Sequence, residues 1–461
     1  MKGQITLYTL CMVAALMSSC NLYKQYRRPE VKADGLFRDP VAVNDTLVTD
    51  TNTMADLPWE EVFTDPQLQS LIRTGLERNT DLQTALLRVQ EAQAGLMSSR
   101  LAYLPSFNLA PQGGVSSFDK SRGNWTYTLP VVAGWEIDLF GKLLNSKRAA
   151  KAALMQSEAY EQAVRTQVVS AIANYYYTLL MLDEQLEITK ETALLWEKNV
   201  ETMKAMKEAA MVNEAAVVQS EANRYMIAAN VPELESQIRQ FENALSLLLR
   251  QAPRFVERGK LKDQHLPEVL KTGVSMQLLS RRPDVKAAEM ALTGTFYNAN
   301  VARSAFYPQL SLTGTGGWTN DAGVIVNPGK MIVSAVGSLT QPIFNRGANL
   351  ARLRIAKAQQ EEALLQFEQT ILNAGGEVSD ALDSYRAAEV KLKLRAQQVD
   401  ALQKSVEYTQ ELLVLGGSST YLEVLTAQQS LLSAQLSAVF DRFQRIQSVV
   451  SLYRALGGGT E

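Results

Sequence analysis

The sequence predicts a mostly helical protein with a small amphipathic β component that meets a membrane. Three observations predict it: long helix-forming stretches without glycine or proline, a fifteen-residue run of strict apolar alternation, and an internal duplication that contains both. The chain has 461 residues, 46% of them hydrophobic and 20% charged, so extensive burial is affordable and global disorder is not indicated. A net charge of −2 supplies no basic field for nucleic acid. One histidine, His265, excludes HExxH and multi-histidine metal sites, and Cys11 and Cys20 alone build no disulfide framework.

The duplication has a spacing of about 203–205 residues. Arg100 aligns with Arg303, Pro105 with Pro308, and Leu139-Phe140 with Ile343-Phe344. Two repeats follow, 61–270 and 275–461, each ordered as helix, β-hairpin and helical hairpin. The β-hairpins are expected at 106–140 and 309–344, and the helical hairpins at 142–252 and 346–456.

The helical blocks are the plainest feature. Residues 142–231 contain no Gly or Pro and are rich in Ala, Leu, Glu, Gln and Lys. One helix of that length would run ~135 Å, so a turn is expected at Met211-Val212-Asn213-Glu214, matched by Gly416-Gly417-Ser418-Ser419 in the second repeat. The arm before the first turn would then extend roughly 100 Å, and arms of that length need coiled-coil neighbours.

In 125–139 every odd position is apolar, including Trp125, Tyr127, Leu129, Val131 and Trp135. Aromatic residues near strand ends resemble the girdles of membrane barrels, which assigns these five side chains to lipid. Four strands cannot close a barrel, and open edges cannot stand in hydrocarbon. The chain must pool strands with copies of itself; strand count alone does not choose three copies over two or four.

The N-terminus is a targeting segment. Residues 1–19 have Lys2, an apolar stretch from Ile5 to Met17, and two small residues before Cys20. This pattern resembles a lipoprotein signal, in which Cys20 becomes the lipidated first residue of the mature chain. Residues 20–60 are then a linker.

The ordered combination of that lipobox with Asp65-Pro66, Asn79, Tyr103-Leu104-Pro105, Trp135-Glu136-Ile137-Asp138-Leu139-Phe140-Gly141, Arg282-Pro283-Asp284, Gln341-Pro342-Ile343-Phe344 and Leu452-Tyr453-Arg454-Ala455-Leu456-Gly457-Gly458-Gly459 resembles the TolC-type outer-membrane efflux factors. Within them it is similar to the lipidated branch associated with RND pumps, the OprM- and CusC-like members of the NodT family. The resemblance covers essentially the whole mature chain. It implies a homotrimer with a twelve-stranded β-barrel in the bacterial outer membrane and a helical tunnel running into the periplasm. It implies a periplasmic membrane-fusion adaptor and an inner-membrane RND transporter as partners. Drugs or other small molecules would pass passively, without chemistry and without a cofactor beyond the covalent lipid on Cys20.

The resemblance also assigns sites. Gly416, Gly417, Ser418 and Ser419 correspond to a periplasmic turn where the adaptor docks, and Met211, Val212, Asn213 and Glu214 occupy the other turn without the family's usual glycine. Glu423 matches an acidic position of the inner wall at the constricted end; Thr426 stands where a second acid is common, so a double acidic ring is not expected. A lipid-anchored coiled-coil structural protein of the cell envelope explains the helices but not the duplicated strands. An enzyme built on Asp380 and Asp383, which share one helix face, finds no other support. Met203, Met206 and Met211 at helical spacing suit packing better than a soft-metal site.

Overall fold

The computed structural model describes residues 23–29, 57–117, 119, 122–265, 281–320, 329–415 and 420–458. The signal segment 1–19, Cys20, most of the 20–60 linker and the turn Gly416–Ser419 lie outside the described residues. The elements in order are α1 (Trp59–Val62), α2 (Pro66–Arg78), α3 (Thr80–Leu101), β1 (Ser106–Leu109), β2 (Gln112–Ser116), β3 (Asn124–Ile137), α4 (Lys142–Glu208), α5 (Glu214–Leu248), α6 (Pro283–Ser304), β4 (Gln309–Thr319), β5 (Lys330–Thr340), α7 (Ala348–Val414) and α8 (Tyr421–Ala455). The duplication is visible in helix lengths: α3 and α6 have 22 residues each, α4 and α7 have 67, and α5 and α8 have 35. At 1.5 Å per residue, α4 and α7 are each about 100 Å long. The chain divides into two compact units.

The first unit comprises Met1–Lys32, Leu87–Ala159 and Lys286–Thr370 and holds the sheet. All its strand pairings are antiparallel, in the order β1-β3-β4-β5, with β2 also on β3. The first arm of the hairpin expected at 106–140 consists of two strands, β1 and β2. Leu109 pairs with Val131 and Gln112 with Thr128, so the register is continuous across Ala110-Pro111. Pro111 has no N–H to give the ladder, which interrupts the strand, while Ala110 N–H still donates to Pro130 O at 3.0 Å. A second correction concerns the alternating run, which stops at Ile137 rather than Leu139. There the Asp138 carboxylate turns to accept from Leu144 N–H at 2.8 Å, helping to satisfy the open N-terminus of α4. The N-terminal piece 23–29 packs within this unit: Tyr26 meets Phe296 edge-on at 5.7 Å, and Arg28 pairs with Glu289 at 3.5 Å.

The second unit comprises Ala33–Leu86, Tyr160–Val285 and Ile371–Glu461 and is helical among the described residues. Its core includes Phe63, Ile72, Ile172, Tyr176, Tyr177, Leu179, Trp196 and Tyr453. The duplication has chemical counterparts here. Asn79 caps α3 by accepting from Asp81 N–H and Leu82 N–H, and its amide donates to Leu248 O at the end of α5 at 2.9 Å. Arg282, in the matching position, donates to Ala455 O at the end of α8 at 2.6 Å and pairs with Asp284 and Glu377. Gly457 follows α8 with φ +76°, and a Cβ there would stand 3.2 Å from Arg282 Cα, so this turn needs glycine on two counts. The segment after α5 is tied down by Arg258, whose side chain is buried. It donates to Asp183 on α4 at 2.5 and 2.9 Å and to Glu242 on α5 at 2.5 Å. Burial works against its charge; the two carboxylates outweigh this and hold its pKa above the ordinary value. His265 is exposed, with Nδ1 2.8 Å from Asp263 O.

Candidate functional site: the two faces of the sheet and the helical tips

The registers decide which side chains share a face. Leu129 pairs with Trp318, Val131 with Gly316 and Trp135 with Leu312; Trp318 in turn pairs with Met331 and Gly316 with Val333. Across β1 and β2, Val131 pairs with Leu109, Ala133 with Phe107 and Trp125 with Val115. One face therefore carries Phe107, Leu109, Val115, Trp125, Tyr127, Leu129, Val131, Trp135, Leu312, Trp318, Met331, Val333 and Leu339, with most of these large apolar groups solvent-exposed. All five strand residues assigned to lipid from the sequence lie on it. The opposite face presents Thr126, Thr128, Ser311, Thr313, Thr315, Ser334, Ser338 and Thr340, with Val132, Ile332 and Val336 among them. Its described charges are Lys330 at one end and Glu136 at the other, where Glu136 is paired with Lys142 at 2.8 Å.

Two aromatic clusters bound the apolar face. Trp125, Tyr127 and Trp318 mark the loop end. At the helix end Trp135 Nε1–H donates to Tyr103 O at 2.9 Å, and Phe140 stacks on Tyr307 at 5.2 Å. From Trp125 to Trp135 the strand advances roughly 33 Å, which at a tilt of ~40° is about 25 Å of height, the thickness of the apolar band of an outer-membrane barrel. The outer edges of β1–β2 and of β5 have no strand partner among the described residues.

The first helical tip is a built turn. Ala210 adopts φ +58°, and its N–H and that of Met211 donate back to Lys207 O and Met206 O at 2.9 and 2.8 Å. This is the left-handed closure that glycine usually fills, here in alanine. Asn213 caps α5 by accepting from Ala216 N–H at 3.1 Å, Glu214 starts the helix and pairs with Lys207, and Met211 is exposed rather than packed. Met203, by contrast, is buried. Three further pairs run up the same seam of α4 and α5: Lys204–Glu221, Glu197–Arg224 and Lys190–Glu235, at 2.7 to 2.8 Å.

The turn 416–419 lies outside the described residues, but its exit is ordered. Glu423 is exposed at the third position of α8, and its carboxylate accepts from Thr420 N–H at 3.0 Å. Thr420-x-x-Glu423 is a capping box, a pattern present in the sequence itself. Thr426 is exposed and donates to Leu422 O at 2.8 Å. Gly375-Gly376 lie inside continuous α7; Gly375 is buried, whereas Gly376 is exposed and a Cβ on it would meet nothing within 4 Å. No described helix is long and apolar enough to cross a membrane, and the described residues hold no cluster of three metal-ligating groups.

An amphipathic sheet with open edges in the same chain as two 67-residue helices is the architecture of an outer-membrane channel subunit. The chain belongs to the outer membrane efflux protein family, whose profile matches residues 71–249 and 274–458. It is 29% identical over 451 residues to the cation efflux system protein CusC of Escherichia coli K12, covering 97% of this chain and 98% of that one. It is 28% identical over 464 residues to the probable outer membrane lipoprotein SilC of Salmonella typhimurium, covering 99% of both. Among solved structures it resembles the open state of the Neisseria gonorrhoeae MtrE outer membrane channel, with TM-score 0.85 and 28% identity over 96% of this chain and 99% of that one. The protein is thus an outer-membrane efflux channel component.

Proposed function

We propose that three copies of this chain close a twelve-stranded barrel whose apolar face meets outer-membrane lipid and whose hydroxyl-rich face lines the pore. The observation that carries this reading is the sheet itself: one face dominated by large apolar and aromatic side chains, one rich in hydroxyls, and two edges in need of partners. The long helices supply the periplasmic tunnel, and the barrel acts as the exit duct of a tripartite RND-type system. A periplasmic adaptor docks at Met211, Val212, Asn213 and Glu214 and at Gly416–Ser419, and Glu423 contributes an acidic ring near the closed end. Cargo passes by diffusion; nothing in the chain's chemistry asks for catalysis. Cys20 carries the lipid that anchors the N-terminus, in keeping with a relative described as a lipoprotein.

The test is reconstitution of the purified protein in planar bilayers. Discrete, long-lived conductance steps from a detergent-stable trimer support the reading. A folded protein that inserts and never conducts, with or without its adaptor, points instead to an envelope structural role. Fatty-acid labelling that survives Cys20→Ala would remove the lipid assignment alone.

A further inference from the structure

The hydroxyl-rich face of the sheet carries one uncompensated charge among its described residues. Glu136 at the helix end is paired with Lys142 at 2.8 Å, whereas Lys330 is exposed and its side chain makes no ion pair or hydrogen bond among the described residues. Register fixes its place. Lys330 pairs with Thr319 and Thr319 with Thr128, and the two threonine hydroxyls stand 3.2 Å apart. Lys330 thus continues the hydroxyl row, while the next pair along, Trp318 and Met331, lies on the apolar face. As the first residue of β5 it stands at the loop end of the sheet, opposite the end that feeds α7. The connecting segments 117–123 and 320–329 hold Asp119, Lys120, Arg122 and Asp321, whose charges cancel, so Lys330 sets the sign at this end.

We infer that Lys330 forms a ring of three positive charges just inside the outer mouth of the pore, a selectivity element that favours anionic solutes at the exit. The inference rests on the proposed twelve-stranded barrel. Twelve strands about 4.8 Å apart at a tilt of ~40° close a cylinder about 24 Å across, so ammonium groups reaching roughly 6 Å inward stand roughly 6 Å from the axis. That distance is within the Debye length of ~8 Å, so the ring acts on the whole cross-section and enriches a monovalent anion roughly fivefold. A multivalent anion gains more. The sign is opposite to that of the acidic ring proposed at Glu423, so the two ends of the conduit discriminate in opposite senses. A lysine on an edge strand also discourages mispairing, but that role acts on assembly and not on ion flow.

The experiment adds the full-length protein to one chamber of a planar bilayer, so that its 67-residue helices stay on that side and the loop end faces the other. Inositol hexaphosphate is then applied to each chamber in turn. Block from the loop side is expected, and ~1 M salt should relieve it, because the Debye length there is ~3 Å. Lys330→Gln should raise the half-blocking concentration about tenfold or more, Lys330→Arg should retain the block, and Lys330→Glu should exchange it for block by spermine. The yield of detergent-stable trimer is scored for every variant, which separates the ring from edge protection. Equal block of wild-type and Lys330→Gln trimers, or block from the helix side alone, would overturn the ring. A wild-type trimer that inserts and never conducts would overturn the barrel reading itself, and the ring with it.

Discussion

An arginine placed on either face of β3 should have opposite consequences. Leu129 lies on the apolar face, in register with Trp318, between the aromatic clusters at Trp125 and Trp135. It stands four residues from Trp125 and six from Trp135, close to the middle of a band about 25 Å high. Leu129→Arg there costs ~2–4 kcal/mol per copy, which is roughly a 30- to 1,000-fold loss in the inserted population before the three copies compound it. Thr128 is adjacent in sequence but on the other face, with Oγ1 3.2 Å from Thr319 Oγ1. Thr128→Arg loses that contact, about 1 kcal/mol, while its guanidinium reaches pore water. Urea unfolding from vesicles and the yield of detergent-stable oligomer measure the first effect; single-channel current measures the second. Leu129→Arg should lose oligomer, and Thr128→Arg should keep it with altered conductance. Equal loss from both would refute the assignment of faces.

Three other outcomes follow from particular contacts. Ala210 holds φ +58°, so Ala210→Gly should relieve strain and stabilise the first tip by about 1 kcal/mol; hydrogen exchange at Met211 N–H that is no slower would count against this. Glu423→Gln keeps a side-chain acceptor for Thr420 N–H, so the cap persists while the charge goes. It should weaken cation selectivity and divalent block with the oligomer intact, and an unchanged reversal potential under a salt gradient would place Glu423 outside the pore. Burial raises the pKa of Tyr176, Tyr177 and Tyr453, with the hydrogen bond to Asp65 adding to the rise for Tyr176. Their stabilisation is complete below the unfolded phenol value of ~10 and is lost as pH rises beyond it, so the thermal midpoint should fall between about pH 10 and 12; a flat profile would contradict this.

Much of the architecture was legible because it rests on periodicity. Alternation at Trp125 to Ile137 marks a two-faced strand, and ninety residues without Gly or Pro, too long for one arm, mark a helical hairpin. The break at Ala110-Pro111 was also written in the sequence, since proline removes a ladder donor. Contacts between distant residues were not legible. Arg258 finds Asp183 75 positions away and Glu242 16 positions away, and no local pattern announces either. Arg282 was recognisable only as part of a motif; its bond to Ala455 O supplies the physical reason for it. Trp196 is one apolar residue among many on α4, and only packing makes it the largest fully buried side chain. Glu423 shows the converse: Thr420-x-x-Glu423 spells the capping box that starts α8 in the sequence alone.

The most direct test of the shared barrel is covalent. The sequence has no cysteine after Cys20, so with Cys20→Ala introduced pairs report without background in the processed chain. Gly114→Cys on the outer edge of β2 is combined in turn with Ser334→Cys, Val336→Cys or Ser338→Cys on β5, the opposite edge of the same sheet. If each copy's β1–β2 edge pairs with β5 of the next, oxidation in the membrane should give disulfide-linked species that stop at three chains for at least one register. Cross-linking that stops at two, continues beyond three, or fails throughout the scan in a correctly inserted protein would contradict the three-copy barrel.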